Sequence, residues 1–367
     1  MMDSTPNNWH TWRELSAQPA IWRDWAVVLE RDAADHRAWI DGLDIDEIWL
    51  SGAGTSAFIG DIVADAHPRF LGRTVRAVAS TDMVADPARY LSGPARPLII
   101  NFGRSGNSAE SLGVLAAIKT LAPATPVLNV TCNPDGALAM CDTGARLRVI
   151  TLPSATHDAG FAMTSSFSTM LLTALALIDP AVAPVRALHQ LSAQAERLIP
   201  LAADIVAAMP VPDRVVFVGS GPLRFAAREA ALKVMELTAG RVPALWDSTL
   251  GFRHGPKAFM TADTLTIVMR AQSAHPARYD ADLIAELAAQ YPGNAIRTSG
   301  PHGADFSFES ELPDAWAAVL HVSVAQVMGV FLSNRLGLNV DDPFVGQGTL
   351  SRVVSGVQLY DVGTGAA

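Results

Sequence analysis

Short β-rich runs, several of which end in glycine, alternate along the chain with longer stretches of helical character. The predicted strands are residues 47–50, 97–102, 127–130 and 146–152 in the first half, and 214–218, 264–269 and 294–297 in the second. Strands that alternate with helices fold into a parallel sheet covered by helices on both faces. The pattern therefore predicts an α/β protein.

The two halves carry the same strand and glycine-loop motif. Residues 49–54 read WLSGAG, and residues 216–221 read VFVGSG. Gly219 lies 167 residues after Gly52 (219 − 52), a spacing that indicates a duplicated domain rather than a short solenoid repeat.

Prolines mark the boundary between the halves. Pro180 and Pro184 fall within residues 179–184, and neither a helix interior nor a central strand tolerates proline well. We predict four parts: a helical N-terminal segment over residues 1–36, a first domain over 37–184, a second domain over 185–345 and a C-terminal tail over 346–367.

The composition is that of a globular protein and argues against several function classes. Of the 367 residues, 50% are hydrophobic and 17% are charged. The formal net charge of −9 disfavours a general nucleic-acid binder, which carries basic patches. Cys132 and Cys141 form no CxxC pair, so we expect neither a disulfide framework nor a metal site.

The sequence predicts neither export nor a membrane span. Residues 1–29 lack the apolar stretch of a signal peptide, so we expect a cytoplasmic protein. The longest uncharged run, residues 159–178, has the length of a membrane helix, but it contains six Ser and Thr residues. We predict that it forms a buried helix with a polar start.

Two loops at predicted strand ends are rich in hydroxyl groups. Helix N-termini, hydroxyls and a guanidinium together suit a phosphate monoester, and doubly wound sheets bind ligands at this position. The candidate phosphate ligands are Gly54, Thr55, Ser56, Arg104, Ser105 and Ser108. Alternatively, the polar side chains of residues 105–108 only cap the following helix. The matching loop of the second half, residues 219–223, reads GSGPL, and we expect no second phosphate site there.

A helix predicted over residues 223–239, with Gly240 as its stop signal, carries a second candidate site. Glu229, Lys233 and Glu236 stand at i, i+4 and i+7 and therefore share one face. A solvated face with ion pairs would explain this spacing. The apolar remainder of the helix, and the presence of only three lysines in the chain, favour a buried and specific site instead.

Two histidines in predicted loops are further candidates. His254 lies in residues 246–257, WDSTLGFRHGPK, and His157 precedes residues 160–166, GFAMTSS. Histidine can act as an acid or base near neutral pH, although a lone loop histidine is more often structural or exposed. Thr164 and Arg352 are additional candidate site residues.

Together these motifs resemble the AgaS family of SIS (sugar isomerase) proteins, named tagatose-6-phosphate ketose/aldose isomerases or galactosamine-6-phosphate deaminases. The likeness runs from Trp12 to the C-terminus and is carried by residues 51–61, 102–108, 156–166, 227–240 and 251–257. It implies two tandem SIS domains, each a flavodoxin-like (Rossmann-like) parallel sheet flanked by helices. It also implies that the tail, residues 346–367, lies over the active site.

Wider relatives, among them the isomerase half of glucosamine-6-phosphate synthase, imply a role for each matching residue. Thr55, Ser56, Arg104, Ser105 and Ser108 would bind the phosphate. Glu236 would move a proton between C1 and C2, Lys233 and Glu229 would support it, and His254 would open the sugar ring from the partner subunit.

The resemblance therefore implies a homodimer, and we expect no cofactor, metal, nucleic acid or membrane partner. The long apolar helix around residues 316–332 is a further reason to expect an interface.

Two features depart from the synthase. We expect no glutaminase domain, and residues 1–3 (MMD) provide no N-terminal cysteine nucleophile, so we do not expect ammonia to come from glutamine. Residues 348–357 of the tail contain no lysine, which puts a Schiff base with the ketose in doubt.

Three functions remain open at this point. The first is an amino-sugar-6-phosphate deaminase/isomerase that converts galactosamine 6-phosphate, or glucosamine 6-phosphate, to the ketohexose 6-phosphate and ammonia by a 1,2 proton shift. The second is a nitrogen-free ketose/aldose 6-phosphate isomerase. The third is a non-catalytic sugar-phosphate-binding regulator, which the retained Glu229, Lys233, Glu236 and His254 disfavour.

Overall fold

The computed structural model describes residues 8–141, 146–301, 303–354 and 356–362. Residues 1–7 of the predicted N-terminal segment, and residues 355 and 363–367 of the predicted tail, lie outside the described residues. Contacts divide the chain into two compact units. As far as they are described, unit A holds residues 27–157, 166–183 and 353–362, and unit B holds residues 8–26, 158–165 and 184–352.

Unit A is built on one mainly parallel sheet. Its elements, the first of which is shared with unit B, are α1 (His10–Asp41), β1 (Glu47–Ser51), α2 (Thr55–Ala66), β2 (Arg69–Phe70), β3 (Arg73–Ala77), α3 (Ser80–Ala85), α4 (Pro87–Leu91), β4 (Pro97–Gly103), α5 (Ala109–Leu121), β5 (Val127–Thr131), β6 (Leu147–Thr151) and α6 (Ser165–Ile178). The strand order is β2-β3-β1-β4-β5-β6, and only the short edge strand β2 runs antiparallel.

The central strands of unit A are apolar because helices cover both faces of a parallel sheet. Every residue of β5 is buried, as is β4 from Pro97 to Phe102. Two buried asparagines within these strands satisfy each other, since Asn101 Nδ2 donates to Asn129 Oδ1 over 2.9 Å.

Unit B repeats this architecture. Its elements are α7 (Pro184–Ala208), β7 (Arg214–Gly219), α8 (Leu223–Leu237), β8 (Ala244–Ser248), β9 (Thr264–Met269), α9 (Ala274–Gln290), β10 (Ala295–Gly300), β11 (Phe306–Ser307) and α10 (Asp314–Arg335). The strand order is β11-β10-β9-β7-β8, with every neighbouring pair parallel.

The two sheets share one topology. Numbered along the chain within each sheet, the parallel strands β3-β1-β4-β5-β6 and β8-β7-β9-β10-β11 both have the order 2-1-3-4-5. This is the flavodoxin-like order, whose ligand site lies where the strand order reverses. The predicted α/β fold and the predicted duplication are confirmed.

Two strongly apolar helices, α6 and α10, lie in the core. The buried helix predicted over residues 159–178 is confirmed for Ser165–Ile178, which form α6 and are all buried, whereas residues 159–164 are not helical. Helix α10 is long and apolar enough to cross a membrane, but 94% of its most apolar window is buried inside the structure. The apolar character of this helix is therefore accounted for by the fold and gives no reason to expect a subunit interface.

Several predicted boundaries differ from the structure. Strands β3 and β8 have no predicted counterpart, because they are half-exposed and lack a continuous apolar run. Helix α8 ends at Leu237 rather than at residue 239, since Ala239 and Gly240 both take positive φ angles. Helix α1 continues to Asp41, beyond residue 36.

Candidate active site

The two hydroxyl-rich loops of unit A follow adjacent parallel strands. Ser51 at the end of β1 is paired with Asn101 of β4, so loops 52–56 and 103–108 leave the sheet at the same edge. Both loops lead into helix N-termini, those of α2 and α5. The arrangement places backbone N–H groups and a positive helix end at the position where flavodoxin-like sheets bind anions.

The first loop packs closely against the helix that follows it. A side chain at Gly52 would place its Cβ 2.6 Å from the Ser56 Cβ, so only glycine fits. Gly54 has a φ of +54° and precedes Thr55, the first residue of α2. Thr55 and Ser56 are 5% and 4% exposed, which fixes their hydroxyls at the start of the helix.

In the second loop, polar side chains also hold the backbone. Arg104 is 7% exposed. Ser105 Oγ accepts a hydrogen bond from the backbone N–H of Asn107 over 3.2 Å. Ser108 is the N-cap of α5, since its Oγ accepts from the Ser111 N–H over 3.3 Å. The capping role weighed for residues 105–108 therefore holds for Ser108.

A third loop, residues 132–138, braces the second one and was missed by the sequence reasoning. Asn133 Nδ2 donates to the Ser105 carbonyl oxygen over 2.9 Å. The Ala137 N–H donates to Asn107 Oδ1 over 2.9 Å, and the Leu138 N–H to the Gly106 carbonyl over 3.1 Å. The turn sequence NPDG at residues 133–136, directly after a predicted strand, is the signal that would have found it.

In unit B, helix α8 brings together the three predicted charged residues. Lys233 Nζ lies 3.3 Å from Glu229 Oε1 and 2.7 Å from Glu236 Oε2. Lys233 and Glu229 are fully buried, whereas the Glu236 side chain is 26% exposed. The prediction of a buried helix is confirmed, and the alternative of a solvated face is wrong.

The ionic group is buried because α10 packs directly on α8. A side chain at Gly329 of α10 would place its Cβ 3.1 Å from the Lys233 carbonyl oxygen. Burial is the largest single effect on the pKa of Lys233 and lowers it, but the charges of Glu229 and Glu236 outweigh burial together and raise the pKa above its usual value. Lys233 is therefore a permanent cation beside a carboxylate that solvent reaches.

His254 lies at the apex of a loop in unit B. Two short helical turns, Gly251–Arg253 and Pro256–Phe259, flank it, and its side chain is exposed. The preceding Phe252 is fully buried, so the chain is anchored next to an exposed imidazole.

Thr164 and Arg352 meet at Asp158, a residue to which the sequence reasoning gave no role. Asp158 is fully buried, and its carboxylate accepts from the Thr164 N–H over 2.8 Å and from Thr164 Oγ1 over 3.0 Å. The Arg352 guanidinium donates to the Asp158 carbonyl oxygen. His157, the preceding residue, is half-buried in unit A.

Glu14 of α1 binds the backbone of the segment that follows Asp158. Its carboxylate accepts from the backbone N–H groups of Ala159, over 2.6 Å, and Gly160. Burial, together with the nearby Asp158 charge, raises the pKa of Glu14. No local sequence signal links this helix to residues 158–165, because the partners are about 145 positions apart.

In unit B, a buried carboxylate of the chain itself, Asp280, is bonded to the serine of the glycine loop. Asp280 Oδ1 accepts from Ser220 Oγ over 2.8 Å and from Thr249 Oγ1 over 2.7 Å, while its Oδ2 accepts from the Ala271 N–H over 2.8 Å. Ser220, Thr249 and Ala271 follow β7, β8 and β9. This contact supports the expectation that unit B holds no second phosphate.

Comparison with known proteins gives close relatives over the whole chain, although no protein-family model matches it. The chain is 40% identical over 373 residues to an AgaS protein of Streptomyces coelicolor, covering 96% of both. It is 36% identical over 362 residues to the D-galactosamine-6-phosphate deaminase AgaS of Shewanella sp. (strain ANA-3), covering 95% of this chain and 91% of that one.

A solved structure has the same architecture. The tagatose-6-phosphate ketose/aldose isomerase from Escherichia coli superposes with a TM-score of 0.86 at 31% identity, covering 98% of this chain and 99% of that one. Identity at this level over nearly the full length of both chains shows that the protein belongs to the AgaS family of SIS proteins.

Proposed function

We propose that the protein is an amino-sugar-6-phosphate deaminase/isomerase that converts galactosamine 6-phosphate to the ketohexose 6-phosphate and ammonia. The observation that carries the proposal is the ionic group of α8, in which buried Lys233 and Glu229 hold a carboxylate, Glu236, that solvent can reach. The names of the relatives supply the substrate class.

In this mechanism the open-chain amino aldose loses the C2 proton to Glu236, which returns it to C1, while one proton of the C2 amino group is transferred to O1. The product of this shift is an imine at C2 with a hydroxymethyl group at C1. Water then adds to C2 and ammonia leaves, so that one substrate and one water give one ketose phosphate and one ammonia. Lys233 supports the step by keeping Glu236 in place through the 2.7 Å contact.

The phosphate is assigned to the loops of unit A. Arg104 supplies positive charge, and Thr55, Ser56, Ser105 and Ser108 supply hydroxyls at two helix N-termini. In unit B the Ser220 hydroxyl is already bonded to the Asp280 carboxylate, an anion of the chain itself, which favours this assignment over one to residues 219–221.

His254 is assigned to ring opening, in a homodimer in which it serves the partner's site. The exposed apolar side chains next to the assigned residues are compatible with an interface, since Met235, which precedes Glu236, is 43% exposed and Leu250, four residues before His254, is 44% exposed. We propose the cytoplasm as the location, as befits an enzyme of sugar-phosphate metabolism.

The second candidate is nitrogen-free ketose/aldose isomerisation, which the name of the Escherichia coli structure favours. It uses the same base and the same phosphate loops but releases no ammonia. Ammonia release and ketose formation, measured with galactosamine 6-phosphate, glucosamine 6-phosphate and tagatose 6-phosphate, separate the two reactions and identify the preferred sugar.

Glu236→Gln tests the base in either reaction. This change keeps the shape of the side chain and removes the proton acceptor, so kcat should fall by about 10²–10⁴-fold with little change in KM. The exchange of the C2 proton in deuterium oxide should fall in parallel. Glu311→Gln, at a side chain that is 82% exposed, is the matched control.

Near-normal turnover and exchange in Glu236→Gln would move the base elsewhere, with Glu229 and His157 the next residues to test.

A further inference from the structure

Helix α9 contacts the segment that carries His254 from beginning to end. We call residues 249–257 the His254 loop. At 100° per residue, Asp280, Leu283, Glu286, Leu287 and Gln290 fall within an arc of about 120° on α9. Each of these five side chains faces part of the loop or the core beneath it.

The beginning of the loop is held by a buried carboxylate. Asp280 is 1% exposed and accepts the Thr249 hydroxyl over 2.7 Å. The same carboxylate accepts from Ser220 Oγ and from the Ala271 N–H, so it also contacts the residues that follow β7 and β9. Hydrogen bonds to an ionised acceptor in a buried position are stronger than neutral ones.

The middle of the loop is held by apolar packing. Phe252 is fully buried in one core cluster with Leu283 and Leu287 of α9. Its aromatic ring anchors the backbone two residues before His254.

The end of the loop is held by two cations on one carboxylate. Arg253 Nε lies 2.7 Å from Glu286 Oε2, and the Lys257 ammonium donates to Glu286 Oε1. Lys257 also donates to Gln290 Oε1 over 2.9 Å. The hydrogen bond from Lys257, followed by the charges of Lys257 and Arg253, lowers the pKa of Glu286.

The imidazole of His254 is not held by burial of its own side chain. The His254 side chain is exposed, and the next residue, Gly255, has a φ of +125°. The backbone N–H of His254 donates to the Gly251 carbonyl over 2.8 Å. The position of the imidazole is therefore set by the flanking residues, and those residues are held by α9.

We propose that α9 positions His254 for its reaction, with Asp280 and Glu286 as positioning residues at the two ends of the loop. The proposal rests on the role assigned to His254 in the proposed function. Neither carboxylate needs to touch the substrate, because each acts through the loop. Misplacing a reacting group by about 1 Å can lower the rate by about 10²-fold.

The test is a cycle of variants with two readouts, the rate of ammonia release and amide hydrogen exchange of residues 249–257. Glu286→Gln removes both ion pairs, and Thr249→Val removes only the hydroxyl that reaches Asp280. Each should lower kcat by about 10-fold or more in the wild-type background and by less than about twofold in the His254→Ala background. Exchange across the loop should be faster by about 10-fold or more in Glu286→Gln.

Asp282→Asn, at an exposed carboxylate on the same helix, is the matched control and should change neither readout. Unchanged exchange in Glu286→Gln, or equal losses of activity in both backgrounds, would overturn the proposal. If His254→Ala turns over as fast as wild type, the role of His254 in the proposed function fails and the positioning proposal falls with it. If His254→Ala is impaired, but Glu286→Gln and Thr249→Val lower the rate of ammonia release equally in the wild-type and His254→Ala backgrounds, only the positioning proposal is overturned.

Discussion

Lys233 lies at the centre of the candidate catalytic group, and Lys233→Met should separate its structural role from its chemical one. Methionine has a similar length and no charge. The change leaves Glu229, which is fully buried, without the cation that lies 3.3 Å from it. A buried charge that loses its partner keeps its desolvation penalty and loses the compensating attraction.

The distance sets the scale of the effect. Two unit charges 3.3 Å apart attract by about 5 kcal/mol at an effective dielectric constant of about 20. Removing one partner of a buried ion pair costs about 3–5 kcal/mol. We therefore expect Lys233→Met to lower the free energy of unfolding by about 3–5 kcal/mol at pH 7.

Urea unfolding followed by circular dichroism measures this change. Lys119→Met, at an exposed lysine in the last turn of α5, is the matched control and should stay within about 0.5 kcal/mol of wild type. The double variant Glu229→Gln/Lys233→Met has no buried charge at these two positions, so it should recover most of the lost stability but not the activity.

A loss below about 1 kcal/mol in Lys233→Met would refute the reasoning, because the pair would then contribute no more than an exposed one. A double variant no more stable than the single one would refute it as well. Recovery of both stability and turnover in the double variant would show that Lys233 has no part in the chemistry.

Three further outcomes are expected. Arg104→Ala should raise KM strongly with a smaller effect on kcat, and a phosphate or sulfate ion found at residues 219–221 with none at Ser105 would contradict the assignment of the phosphate loops. Mixed dimers of His254→Ala and Glu236→Gln chains should partly regain activity, and mixed dimers that demonstrably form yet stay inactive would exclude a shared site. His321→Gln should make the free energy of unfolding less dependent on pH between pH 7 and pH 5. His321 is fully buried, and burial lowers its pKa from 6.5 to about 3, so the stability of the neutral form is lost as pH falls below 6.5. The wild type should lose about 2 kcal/mol more than His321→Gln between pH 7 and pH 5 in urea unfolding, and equal losses would contradict the burial of this group.

The strand ends and the charged stripe could be predicted because they depend on local patterns. Buried parallel strands are nearly continuous apolar runs, and the residues that follow them, such as Gly52 and Gly219, must allow a tight return into a helix. The spacing of Glu229, Lys233 and Glu236 determines by itself that the three share a helical face, because a helix repeats every 3.6 residues.

The sequence by itself did not determine which elements pack on each other and which side chains they bury. Lys233 is buried because Gly329, on a helix about 100 positions later, lets α10 pack against α8. Strands β3 and β8 were missed because most of their residues are half-exposed, so neither strand has a continuous apolar run.

The remaining contacts join residues that no periodicity relates. Arg352 reaches the Asp158 carbonyl across 194 positions, Glu14 reaches residues 159 and 160 from α1, and Asp280 binds the Ser220 hydroxyl from 60 positions away. Local patterns specify which elements form, since they depend on neighbours in the chain. Which carboxylate accepts the hydrogen bonds of which loop depends on packing between distant elements, and only the tertiary structure decides that.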